Sequence, residues 1–358
     1  MSTTAQAALD REAIARIDPT DQLTDVLALP EHLRDALWKV ESAGLEPWDS
    51  PGGLIVAGMG GSAVGGRLAR AILGDHASRP LLAARDYGLP PWTTSDTTVL
   101  CSSYSGDTEE TLACFEAAGV IGATRVVVTS GGRLGELARS EGVPVLPVAG
   151  GLQPRAAVGY LTVAALEVAA ACGVGPRMTS EIDVASEHLE QLVIAWGPEG
   201  PDDGDVKALA RALHGTVPVI AGAGLTAPLA HRFKAQVNEN AKSPAFAAEL
   251  PELDHNEIVG WSGAAEFGRF SAVFLDDCDT HPRVKERIEL TARLIAPGAA
   301  GVHRVHSRGQ TTAERVLSLV LLADLTSIYL AALRGVDPRA VESLDRLRAE
   351  LAGGAGQG

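Results

Sequence analysis

Two glycine-rich turns lie 164 residues apart in this chain, and together they restrict what it can fold into. The first, GMGGSAVGG (58–66), follows the apolar run LIVAG (54–58) and opens a helical period. The second lies within VPVIAGAGLTAPLAHRFKAQV (217–237), where Gly222 matches Gly58, Gly224 matches Gly60, Ala227 matches Ala63 and Lys234 matches Arg70. Further short apolar runs at PLLAARD (80–86), TTVLCSSYS (97–105), RVVVTS (125–130) and VPVLPV (143–148) alternate with amphipathic helical stretches. FSAVFLDD (270–277) and GVHRVHSRG (301–309) continue the pattern after the second turn. Strands alternating with helices predict parallel βαβ units, and the constant offset predicts an internal duplication. The expected fold is therefore α/β, with two doubly wound parallel-sheet domains. Such sheets bind ligands outside the carboxyl ends of their strands.

The predicted organisation is a helical leader (1–45), a first domain (46–178), a linker helix and loop (179–204), a second domain (205–351) and a disordered tail (352–358). The chain has 358 residues, of which 46% are hydrophobic, ample for two cores. Its formal charge of −15 argues against nucleic acid or an anionic membrane as partner, because both demand a basic footprint. An anionic ligand must be held by a local device working against the global field. Cys101, Cys114, Cys172 and Cys278 form no CxxC pair, and with no signal-like leader the chain reads as cytoplasmic. Two apolar stretches, Val158 to Val174 and Val316 to Leu333, each carry a central acid (Glu167, Asp324) and read as buried helices rather than membrane spans.

The chemistry concentrates in a few segments. In the first turn, Gly61 and Ser62 lie where helix N-terminal amides offer positive charge to an anion, although such turns also serve only to reverse the chain. The sharper element is CSSYSGDTEETL (101–112), in which Ser103, Ser105 and Thr108 converge on a helix start. Hydroxyls and free amides can wrap a phosphomonoester without a lysine or arginine. Helix capping explains part of that cluster but not three hydroxyls with Gly106. In the second half, Glu239 stands between Asn238 and Asn240, expected at a helix end near the sheet's carboxyl edge, and His255 lies in a polar loop. A carboxylate and an imidazole are the tools of proton abstraction beside a carbonyl. Taken by residue type alone, they read rather as a solvated surface charge and a satisfied loop histidine. Gly58-x-Gly60-x-x-Ala63 also fits a dinucleotide fingerprint, with Asp86 closing the next strand, but Ser62 and the SYSGDT loop have no place in that scheme. His303-x-x-His306 lacks a third ligand for zinc.

Together GMGGSAVGG, SSYSGDTEET, GLQPRAAVGY, NENAKSPAFAAELPELDHNEIVGW and YLAALRGVDPRAVESLDRLRAEL resemble the bifunctional phosphoglucose/phosphomannose isomerase family, built from two sugar isomerase (SIS) domains of flavodoxin-like type. The resemblance implies aldose–ketose isomerisation of glucose 6-phosphate, and of mannose 6-phosphate, to fructose 6-phosphate through a cis-enediol, with neither metal nor cofactor. It implies that Gly61, Ser62, Ser103, Ser105 and Thr108 hold the phosphate, Glu239 is the base, and Arg155 stabilises the enediolate. His255 would open the sugar ring from the partner subunit of a homodimer. Arg348 stands where the family's last helix carries a lysine, and Val341 where it can carry a threonine. Those two residues motivate an alternative, a non-catalytic or regulatory phosphosugar-binding SIS protein.

Overall fold

Leucine- and β-branched-rich runs pair into two parallel sheets in the computed structural model, which describes residues 8–354. In the first half the elements are α1 (Arg11–Ala15), α2 (Gln22–Leu27), α3 (Leu29–Ser42), β1 (Leu54–Ala57), α4 (Gly60–Leu73), β2 (Leu81–Ala84), β3 (Thr98–Ser102), α5 (Glu109–Ile121), β4 (Thr124–Thr129), α6 (Gly132–Ser140), β5 (Val145–Pro147) and α7 (Val158–Ala171). The second half follows with α8 (Thr179–Trp196), α9 (Asp205–Leu213), β6 (Val217–Gly222), α10 (Ala227–Ala241), β7 (Phe246–Glu249), α11 (Glu257–Gly260), α12 (Ala264–Phe267), β8 (Phe270–Asp276), α13 (Pro282–Ile295), β9 (Gly301–His306), α14 (Thr312–Arg334) and α15 (Glu342–Gly354).

The strand orders are β2-β1-β3-β4-β5 and β7-β6-β8-β9, every pair parallel. Both sheets thus step outward from their first strand in the same sense, the doubly wound flavodoxin-like order. The duplication extends to backbone angles: Gly60 and Gly224 sit at φ of +49° and +52°. β1 and β3 are buried along their whole length, as strands covered on both faces must be.

α7 and α14 are apolar nearly all round and run through the interior. Among the described residues α14 alone has the length and apolarity to cross a membrane, and protein encloses almost all of it. Its acid, Asp324, is 4% exposed and paired with buried Arg232. α14 packs on α10, α8 and α9, and α4 reaches across to α10 and α14, so one continuous hydrophobic core joins the two halves. The leader helix α3 lies on α7 and α8 of its own chain, where the Tyr160 hydroxyl donates to Asp35 at 2.6 Å and Arg34 meets Glu190.

Two details depart from the sequence reading. β7 falls in the AFAAEL segment, read above only as part of a motif; four residues with a central Ala-Ala pair carry little strand signal. The tail expected to be disordered from 352 is helical to Gly354, since Leu351 and Ala352 prolong the period of α15; residues 1–7 and 355–358 lie outside the described residues. The four cysteines are unpaired.

Candidate active site

The hydroxyl cluster forms where β3 gives way to α5. Ser103 Oγ and Thr108 Oγ1 lie 2.9 Å apart, and Ser103 Oγ accepts the amide of Gly106 at 3.1 Å. Ser105 Oγ accepts the amide of Asp107 at 3.2 Å. Thr108 occupies the N-cap of α5 yet makes no side-chain cap bond, so capping does not consume its hydroxyl, and the first-turn amides stay open. The loop's shape depends on Gly106: at φ +78° it lies so close to the carbonyl of Gly131 that a Cβ would sit 1.9 Å from that oxygen. Ser62, on the first turn of α4, accepts the amide of Tyr104 at 3.2 Å and joins the two glycine-rich segments.

Tyr104 carries the connection onward. Its hydroxyl donates to the carbonyl of Ala149 and accepts the amide of Leu152 at 2.8 Å, clamping the loop that follows β5. That loop delivers Arg155 against Gly61, where a Cβ would come within 2.9 Å of the Pro154 oxygen and 3.2 Å of the Arg155 Cα. The first glycine turn and the loop bearing Arg155 are thus closely packed.

Arg155 then crosses to the second half. Its side chain is 4% exposed; Nη1 lies 3.4 Å from Glu239 Oε2, and Nε donates to Asn240 Oδ1 at 2.7 Å. Nη2 donates to the carbonyl of Pro338 at 2.7 Å. Burial pulls the guanidinium's pKa down from its ordinary value, opposed by Glu239 and Asp324, and arginine remains a cation in such a setting. The two asparagines hold Glu239 in place: Asn238 Oδ1 accepts the amide of Ala245 at 2.9 Å, while Asn240 Nδ2 donates to Ser327 at 2.8 Å. Below them Arg232 and Gln236 occupy the same face of α10, both bonded to Asp324, and Arg232 also donates to the carbonyl of Arg155.

Glu239 is in the last turn of α10, but that turn lies at the amino edge of the second sheet. A helix after a parallel strand runs back against it, and Phe246 opens β7 only a few residues later, opposite Val219. The expectation of a carboxyl-edge position for Glu239 is therefore corrected. The carboxyl-edge loops of the first sheet meet the α10 end that faces the amino edge of the second.

Glu239 lines a cavity of about 750 Å³ together with Asn238, Lys242, Pro244, Val336, Asp337 and Val341. His255 stands elsewhere, exposed at the end of the turn Glu252–His255, with no hydrogen-bond partner among the described residues. Arg348 is exposed on α15, 3.7 Å from Asp345, and does not line the cavity. His303 and His306 both lie on β9, whose period of two directs them to opposite faces. The sequence reading missed Tyr104, Lys242 and the Arg232–Asp324 pair; Lys242 had a signal, a lysine closing the NENAK helix end.

The second sheet's equivalent crevice opens on a cavity of about 1060 Å³ lined by Gly224, Asp277, Asp279, His281 and Arg315, and its acids are anchored. Asp277, after β8, accepts from Ser307 at 2.6 Å and pairs with Arg315 at 3.1 Å, and Arg315 also pairs with Asp279. Carboxylates thus stand where the first unit has hydroxyls.

Two doubly wound units, one with a hydroxyl-lined helix start and the other presenting a carboxylate to the first unit's guanidinium, define a tandem SIS-type α/β protein. The family described as "Bacterial phospho-glucose isomerase C-terminal SIS domain" matches residues 202–351. The bifunctional phosphoglucose/phosphomannose isomerase of Caldicellulosiruptor bescii is 38% identical over 302 residues, covering 84% of this chain and 89% of the relative. The enzyme of the same name from Aquifex aeolicus is 36% identical over 316 residues, covering 88% and 94%. A crystal structure of a hypothetical protein from Thermus thermophilus shares the fold, with a TM-score of 0.74 at 16% identity over 98% of this chain and 94% of that one. The chain belongs to the bifunctional phosphoglucose/phosphomannose isomerase family.

Proposed function

We propose that this protein is an aldose–ketose isomerase that interconverts glucose 6-phosphate, and mannose 6-phosphate, with fructose 6-phosphate through a cis-enediol. The observation that carries the proposal is the 3.4 Å approach of Arg155 to Glu239 across the two halves, with the loop bearing Arg155 closely packed on the glycine turn at Gly61. Ser62, Ser103, Ser105 and Thr108, with the open amides of α5, hold the phosphate. Glu239 removes the proton from C2 and returns it to C1, a step for which general base catalysis supplies about 10²–10⁴-fold. The developing enediolate oxygen is met by the fixed charge of Arg155, an interaction worth roughly 3–4 kcal/mol where donors are preorganised. The relatives from C. bescii and A. aeolicus carry this activity in their names.

His255 opens the sugar ring, and it does so in the partner's site of a cytoplasmic homodimer. In its own protomer it is exposed and bonded to nothing among the described residues, which supports supply across an interface. Arg348 is exposed beside Asp345 and does not line the cavity, so ring opening falls to His255. A coupled assay for fructose 6-phosphate appearing from either aldose phosphate tests the proposal; turnover is expected.

The second reading, a phosphosugar-binding protein without turnover, draws on the exposure of Arg348 away from the cavity. Tight binding of glucose 6-phosphate with no product would favour it and overturn the isomerase.

A further inference from the structure

α10 ends on Lys242 at φ +50°, the left-handed region that glycine or asparagine ordinarily fills after a helix. A lysine there carries a backbone cost and persists only where its surroundings over-determine it. Those surroundings are three carbonyls. Lys242 Nζ donates to Glu239 O at 2.7 Å, to Pro338 O at 3.1 Å and to Asn240 O at 3.5 Å. Every hydrogen of the ammonium therefore has an acceptor, which leaves none for a substrate. The Pro338 carbonyl is shared, because Arg155 Nη2 donates to the same oxygen at 2.7 Å.

We propose that Lys242 is a positioning residue of the isomerase site, tying the last turn of α10, which bears Glu239, to the segment 337–339 that holds Arg155, and so fixing the separation of base and guanidinium. This role rests on the isomerase reading above. The charged groups around Lys242 are Arg155 from the loop after β5, Glu239 on α10 and Asp337 before α15; Arg334 of α14 donates to its carbonyl at 3.4 Å. Burial and the Arg155 charge draw the ammonium's pKa down to about 8, against the pull of Asp337 and Glu239. Above that pH one of the three tethers is lost.

Two variants of the full chain, assayed with glucose 6-phosphate, test the role. Lys242→Gly relaxes the backbone and removes the tether. The melting temperature should hold or rise while kcat falls, on the order of 10²-fold for a displaced catalytic pair, with KM nearly unchanged. Lys242→Arg keeps the charge and does not titrate near pH 8, so it should retain turnover and carry it to higher pH than the wild type. Wild-type kcat in Lys242→Gly, or a Lys242→Arg variant that keeps the wild-type alkaline limb, would overturn the role while leaving the isomerase intact. A wild-type chain without turnover would overturn the isomerase reading and this role with it.

Discussion

Arg155 Nε and Asn240 Oδ1 meet at 2.7 Å, so the residue beside Glu239 fixes the guanidinium that faces it. The bond spans the two halves of a duplicated chain and is wholly buried. The carbonyls of Pro338 and Arg339 hold Nη2, and Nη1 is shared between Gln153 at 3.3 Å and Glu239 at 3.4 Å. The carboxylate and guanidinium proposed above as base and oxyanion stabiliser are thereby held before any ligand arrives, which is what electrostatic preorganisation requires.

Glu239→Gln keeps the shape of the side chain and its neighbours and removes the proposed base. Its kcat should fall by about 10²–10⁴-fold while binding of glucose 6-phosphate, followed by calorimetry, stays close to wild type. A rate near wild type would eliminate the mechanism.

Ser105→Ala removes a hydroxyl that is exposed and, among the described residues, accepts only the Asp107 amide. The expected loss is about 1.5–3 kcal/mol of phosphate binding, the value of a hydrogen bond to a charged group, read as a raised KM with little change in kcat. A kcat effect with KM unmoved would put the phosphate elsewhere.

Gly61→Ala introduces a methyl 2.9 Å from the Pro154 oxygen, so the Arg155 loop must retreat. Overpacking of this kind costs roughly 1–3 kcal/mol of stability. Because the displaced element carries Arg155, kcat should drop more than the melting temperature alone would suggest. A folded Gly61→Ala enzyme with full kcat would show that Arg155 tolerates displacement.

If His255 completes the partner's site, inactive Glu239→Gln and His255→Ala chains should complement each other. Random reassembly leaves one intact site in each mixed dimer, restoring about a quarter of the wild-type rate. A mixture that stays inactive after verified subunit exchange would return His255 to its own protomer.

Much of this architecture is legible in local pattern. The glycine turns, the alternating periods and the SSYSGDT cluster each depend on residues close in the chain, and the matched angles of Gly60 and Gly224 bear out the offset between them. What escapes is set by contacts across the fold. Tyr104 looks like any loop aromatic until Ala149 and Leu152 come to it, and Lys242 gains its role only when residues 337–339 return from the far end of the chain. The sheet edge occupied by Glu239 follows from the direction in which α10 runs, which the position of a helix end along the sequence does not convey. β7 carries too little branched side-chain signal to register as a strand.

The pairing of Arg315 with Asp277 and Asp279 gives the duplicated scaffold an unequal outcome. The later copy carries tethered anions beside its glycine turn, where the earlier copy carries hydroxyls. The copies have kept one backbone and diverged in charge, so substitutions at Asp277 or Arg315 should alter durability more than turnover.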